Sequence, residues 1–254
     1  MKILCAGLLC LAILAPSGQT ALAQGMMNGL DLTSDRMTKA NTTREAVASR
    51  LETATREAPA SFRAAELNGL DLSGLDFKGA DLTSAYLNGT NLSGADLSGA
   101  KLDQAWAMKA DFSGADLSNA QLFQAQLRDS DLSGANLTGA RLAADLTNAN
   151  LSGADLSGAD LSADMENQSM GMMRGVMNSA DLTKAKLVGT NLSRAAAEFA
   201  NFTDADLSEA NLLRAEISGA KFVGSNLEGA DFELADMRST RFVDTKGAPK
   251  NLDR

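Results

Sequence analysis

The chain has 254 residues, 44% of them apolar and only 4% aromatic, with 23 basic against 32 acidic side chains for a net charge of −9, and it contains no histidine. The acidic surplus argues against a general nucleic-acid binder. The missing histidine removes the commonest general base and metal ligand, so composition also speaks against an enzyme.

In chain order, the first feature is Lys2, the apolar run Ile3 to Ala15 and the small-residue site Ala21-Leu22-Ala23, the pattern of a bacterial-type secretory signal over residues 1–23. Cleavage after Ala23 predicts a periplasmic or secreted protein and removes Lys2, taking the net charge from −9 to −10. The apolar run is too short to span a bilayer. Both cysteines, Cys5 and Cys10, fall inside the signal, so the exported chain is expected to fold on packing alone. Leu9 stands where a lipoprotein signal needs a small residue, which argues against lipidation at Cys10.

Residues 24–64 form an N-terminal segment. Thr42-Thr43-Arg44-Glu45 reads as a capping box, followed by Val47, Leu51 and Ala54 at helical spacing and by Pro59. This predicts a helix at about 43–57 that covers the open end of whatever follows. Leu32, Met37 and Thr42 are five apart, an ambiguous degenerate start to the repeat.

From residue 65 the chain is written in fives. Large apolar centres run from Leu67 to Leu142, resume at Leu146 to Leu161, and run again from Leu182 to Phe242, giving 33 units. All centres but Ala107 and Ala197 are Leu, Ile, Met or Phe, a register chance does not supply. A five-residue period scatters a stripe on a helix and flips sides on an unbroken strand, so each repeat needs a corner. Within a unit, the small residue and the Leu two places on point inward, the Asp or Asn between them points outward, and Ser-Gly turns the chain. Stacked coils of this kind make an all-β solenoid with Leu72, Leu92, Phe112, Leu132, Leu151, Leu182, Phe202, Phe222 and Phe242 in its structural core.

Two irregularities interrupt the pattern. Leu142 to Leu146 is a step of four, predicting a lost corner residue and a shift of faces. Residues 164–179 break the repeat between the solenoid parts 65–163 and 180–244, and read as an extruded loop with Met165, Met170, Met172, Met173 and Met177. Residues 245–254 read as a polar tail.

The units resemble the pentapeptide-repeat family, whose Ala-(Asp/Asn)-Leu-(Ser/Thr)-Gly consensus stands unaltered at Ala95 to Gly99, Ala135 to Gly139 and Ala154 to Gly158. The resemblance implies a right-handed quadrilateral β-helix with four repeats per coil, here with a short N-terminal capping helix. It also implies two functional possibilities known in the family: a homodimer through the C-terminal coil, and a DNA mimic that binds or protects gyrase. The second fits poorly, since about eight coils of ~4.8 Å carry one net charge per ~4 Å, against one per ~1.7 Å in duplex DNA.

If coils hold 20 residues, outward residues form ladders. Those of Asp71, Asn91, Asp111, Asp131 and of Asp76, Asp96, Asp116, Asn136 are acidic; like carboxylates ~4.8 Å apart repel by about 1 kcal/mol in water, which solvent, the Asn rungs or bound cations would relieve. A third ladder places Tyr86 beside Trp106, a candidate contact for sugar or protein. Met170, Met172, Met173 and Met177 are candidates for an adaptable partner contact or for copper(I). No cofactor, catalytic residue or nucleic-acid partner is expected. The reading is a non-enzymatic exported scaffold for an unidentified protein.

Overall fold

The computed structural model describes residues 31–55, 57–165 and 173–252. The chain divides into a unit of residues 1–33 and one of residues 34–254. In the first, the Thr33 N–H and hydroxyl both donate to Asp31 Oδ1, at 2.9 and 2.6 Å. The expected secretory segment lies outside the described residues.

The second unit is a right-handed quadrilateral β-helix, and one repeat shows why the consensus builds it. In Ala95-Asp96-Leu97-Ser98-Gly99, the Ala95 N–H closes the preceding turn on Leu92 O, at 3.1 Å. The Asp96 N–H donates to Leu75 O in the previous coil, at 3.1 Å, while those of Leu97 and Gly99 donate to Asp116 O and Ser118 O in the next, at 2.7 and 2.8 Å. The remaining N–H, that of Ser98, donates to the Asp96 carboxylate at 2.9 Å. All five donors are thus satisfied, and the outward Asp is the side chain that completes the set. Gly99 has φ 64°, the left-handed conformation a type II turn needs at its third residue.

Rung partners lie 20 residues apart, as in Asp76, Asp96, Asp116 and Asn136, so four units make a coil. The faces are called first to fourth after the opening rungs Ser61, Glu66, Asp71 and Asp76. Among the described residues the first face holds ten rungs and the others nine. Rungs broaden into strands at Lys221–Val223 (β1) and Arg241–Val243 (β2), which pair in parallel with Phe222 opposite Phe242.

The solenoid is longer than the spacing of Leu centres indicates. Ser61 pairs with Asp81 and puts Phe62 in the core, and Lys246 and Lys250 pair with Asn226 and Asp231. Residues 245–252 therefore continue the coil instead of forming a tail: backbone pairing needs no apolar centre.

At the N-terminal end, helix α1 (Asp35–Thr38) buries Met37, and helix α2 (Arg44–Glu52) buries Val47 and packs Leu51 against the core. Thr43 caps α2 by accepting the Ala46 N–H at 3.4 Å. The helix ends earlier than the sequence suggested, where the Thr53 hydroxyl donates back to Arg50 O at 3.0 Å. Arg44 donates to Asp71 O and Ser73 O, at 2.6 and 2.8 Å, tying α2 to the first coil. Met37 belongs to α1, not to a degenerate repeat, and Ala40 pairs antiparallel with Leu67.

The core residues from Leu72 to Phe222 named above occupy the third face in successive coils and are fully buried. Phe242 is half-buried, because it lies in the last rung of that face. The two small centres are each followed by a large one on the next face, Ala107 by Phe112 and Ala197 by Phe202, which restores apolar volume to the coil.

The step of four does not shift the faces. Gln126 pairs with Asp145 and Arg141 with Asp160, so the register drops to 19 residues and every face continues. The missing residue is absorbed in one tight corner, where the Ala144 N–H reaches Leu142 O at 2.7 Å.

Candidate functional site

The lost residue and the inserted segment occupy the same corner. The deletion lies between Arg141 on the first face and Asp145 on the second; the insertion lies between their next-coil partners, Asp160 and Val176. The two departures that look independent along the sequence are neighbours in space. Ala143 and Ala144, at the shortened corner, are buried.

The inserted segment leaves and returns through a fixed neck. The Asp164 N–H donates to Met173 O at 2.9 Å. On the entering side Asp164 Oδ2 lies 3.4 Å from Arg141 Nη2. On the returning side Arg174 makes a bidentate pair with Glu216, both contacts 2.7 Å, and donates to Arg194 O at 3.1 Å. A planar fork matched to a carboxylate fixes geometry as well as charge. Ala196, the rung between Val176 and Glu216, is small and buried on this face.

The chain is back in register earlier than expected. Gly175 donates to Leu161 O at 2.8 Å, Val176 pairs with Asp145 and Ala196, and Met177 is a fully buried core centre. Met177 is therefore structural and not a surface contact. Residues 175–179 form a unit that the sequence reading assigned to the loop, because Gly175 replaces the usual Ala and Met177 the usual Leu. Arg174 and Glu216 were missed altogether; they are 42 residues apart and no local pattern links them. Met173 Sδ meets the amide of Gln124, while Met170 and Met172 lie outside the described residues. Met165 is 47% exposed.

Tyr86 and Trp106 are consecutive rungs of the second face, both half-buried. The Tyr86 ring carries the Arg36 guanidinium at 4.7 Å, and Arg36 Nε is 3.7 Å from Glu66. Arg36 of α1 thus engages Tyr86. Trp106 is the next rung of that face, followed by Gln126, whose amide donates to Gln124 O at 3.3 Å.

The acidic ladders are used locally. Asp71, Asp96, Asp111, Asp116 and Asp131 each accept the N–H two residues on, at 2.8 to 3.1 Å. At several places where Asn follows Asp in a ladder it donates across the coil, as from Asn136 to Asp116 and from Asn150 to Asp131, both at 3.0 Å. Among the described residues no three carboxylates converge as a metal site.

These contacts make stability depend on pH. The Ser73 hydroxyl and N–H hold the Asp71 carboxyl below its ordinary range, and the Asn251 amide does the same for Asp231. At Asp81 and Asp155 burial pushes upward but is outweighed by the hydroxyl and N–H of Thr83 and Ser157 and by nearby cations. Folded values below unfolded ones mean that this stability is fully present above the unfolded range and is lost as pH falls through the folded values. The melting temperature should be level from pH 7 to about 5 and drop below about pH 4. A rise on acidification, read by circular dichroism, would show instead that repulsion between rungs dominates.

The sequence matches the family described as pentapeptide repeats, in 8 copies, over residues 60–99, 76–114, 108–143, 125–162, 177–212 and 215–246. Among solved structures, similarity is found to HetL, a pentapeptide repeat protein involved in heterocyst differentiation regulation from the cyanobacterium Nostoc sp. strain PCC 7120. Identity is 30%, coverage 71% of this chain and 86% of that one, and the TM-score 0.27. Full-length QnrB1, a plasmid-mediated fluoroquinolone resistance protein, is 23% identical, with 74% and 85% covered and a TM-score of 0.33. A pentapeptide repeat protein from the Arabidopsis thaliana thylakoid lumen is 30% identical over 50% of this chain and 65% of that one, with a TM-score of 0.17. No curated protein matches the sequence.

Proposed function

The chain belongs to the pentapeptide-repeat family, and from that premise we propose that it is an exported, non-enzymatic scaffold that presents its interrupted corner to a protein partner. The observation that carries this reading is the neck. A tolerated insertion needs no anchoring, whereas this one is closed by the bond from the Asp164 N–H to Met173 O and flanked by the Arg141–Asp164 and Arg174–Glu216 pairs. Segments of this kind on a rigid frame are where binding residues concentrate, and methionines give a contact surface that adapts to its partner. Export is supported by the signal-like residues 1–23.

The test is capture of partners from the cell-envelope fraction by tagged wild type and by a variant with Met165, Met170 and Met172 replaced by serine. Met173 is kept because it packs on Gln124. Partners recovered by wild type and lost from the variant are expected. Equal recovery would remove the corner from the account, and a cytosolic location in the same fractionation would remove export.

A further inference from the structure

On the first face, beside the neck, lies a groove of about 590 Å³ lined by Asp103, Asn119, Gln121, Phe123, Arg141 and Asp164. We propose that it binds a neutral saccharide, a role that shares Arg141 and Asp164 with the neck but does not depend on partner binding at the corner.

The groove is assembled from four successive coils, those of the first-face rungs Lys101, Gln121, Arg141 and Asp160. Gln121 and Arg141 are neighbouring rungs, about 4.8 Å apart along the face. Phe123 is fixed from below, since its N–H donates to Asp103 Oδ1 at 2.9 Å. The Arg141 guanidinium lies 4.9 Å from the centroid of the Phe123 ring, and its Nη2 lies 3.4 Å from Asp164, whose side chain is only 7% exposed. Polar groups are therefore held on a rigid backbone in a set orientation.

The chemistry narrows the ligand class by elimination. Phe123 and Ala120 are the apolar parts of a lining otherwise made of amides, carboxylates and a guanidinium, which does not suit an apolar molecule. Two carboxylates and a single guanidinium line the groove, and one of the carboxylates already pairs that guanidinium, which disfavours an anion. Arg141 itself takes the place over the ring and beside Asp164 that a cation would seek. A neutral molecule with several hydroxyls meets none of these objections. Adjacent hydroxyls match the paired donors and acceptors of an amide, a carboxylate and a guanidinium, and the apolar C–H side of a sugar ring packs against Phe123.

The experiment is an NMR titration of the full chain with maltohexaose, cellohexaose and the hexamer of N-acetylglucosamine, with inorganic phosphate as a separate arm. Saturable shifts confined to Gln121, Phe123, Arg141 and their neighbours are expected with at least one hexasaccharide. Gln121→Ala, on an exposed side chain, should weaken that binding about fivefold to tenfold, as the loss of one or two hydrogen bonds does. Asp76→Asn, on the fourth face, should leave it unchanged. The inference fails if no hexasaccharide gives saturable shifts, if Gln121→Ala and Asp76→Asn behave alike, or if phosphate binds these residues more tightly than any sugar.

Discussion

Replacing Phe222 by alanine is expected to cost about 3–5 kcal/mol and to release the C-terminal coils before the rest of the solenoid. Phe222 is fully buried at the middle of a column, stacked on Phe202 at 4.7 Å and 7° and on Phe242 at 5.0 Å and 15°. Phe232 meets both Phe222 and Phe242 edge-on, at 6.0 and 5.8 Å. Removing the central ring takes a partner from three others at once, in a close-packed interior that relaxes only in part. The position matters as much as the chemistry. The N-terminal coil is covered by α2, whereas at the other end Lys246 and Lys250 are themselves the last rungs of their faces, followed only by a half-buried Leu252 among the described residues. A solenoid's stability is a sum over neighbouring units, so damage near its thinner end appears there first. Hydrogen exchange should show faster exchange over residues 212–250 with residues 80–140 unchanged. Uniform loss of protection would mean that the coils unfold as one body.

Gly175→Ala is the second large effect, expected at about 2–3 kcal/mol. An added Cβ would stand 2.8 Å from Leu161 Cβ, 2.9 Å from Leu161 O and 3.2 Å from Leu142 O. Two of these atoms are backbone and the third belongs to a buried core side chain, so none can swing away. Gly153→Ala is the informative comparison. Its Cβ would meet nothing within 4 Å, and its φ of 68° resembles that of many non-glycine corner residues here, so only about 1 kcal/mol is at stake. Gly175→Ala should also split thermal unfolding into two steps, because it strikes the junction between the two runs of coils; Gly153→Ala should leave one step. Equal effects would contradict the close approach at the corner.

Most of the fold was legible because the repeat is local. Inward Ala and Leu, outward Asp and a Ser-Gly corner each act within five residues, and the bond from the Ser98 N–H to Asp96 shows why that spelling recurs. Register across the breaks was not legible. The step from Leu142 to Leu146 suggested shifted faces, yet Gln126 still pairs with Asp145, because a corner can tighten by one residue while backbone pairing holds on both sides. The unit at Met177 hid behind its glycine and its methionine. Lys246 hid because it pairs by backbone while departing from the consensus in side chain; Phe62 is in register five residues before Leu67, with Ala60 two places earlier, but Ser61, Arg63 and Ala64 replace the usual Asp, Ser and Gly around it. The candidate site was half legible: the methionines announce the segment, but its clamp depends on Arg174 and Glu216, side chains brought together only by stacking. Arg36 over Tyr86 likewise joins positions no pattern connects.

The claim that unifies these observations is that deletion and insertion share one corner without breaking the solenoid. It rests on particular backbone bonds: Leu146 N–H to Val176 O at 2.7 Å, Val176 N–H to Ala144 O at 2.9 Å and Gly175 N–H to Leu161 O at 2.8 Å. Residue-resolved amide exchange by NMR measures them directly. These three amides should exchange as slowly as those of Leu92 and Leu132 in the uninterrupted coils. Exchange at the rate of exposed loop amides would show that the coils part at the corner, and would contradict that claim.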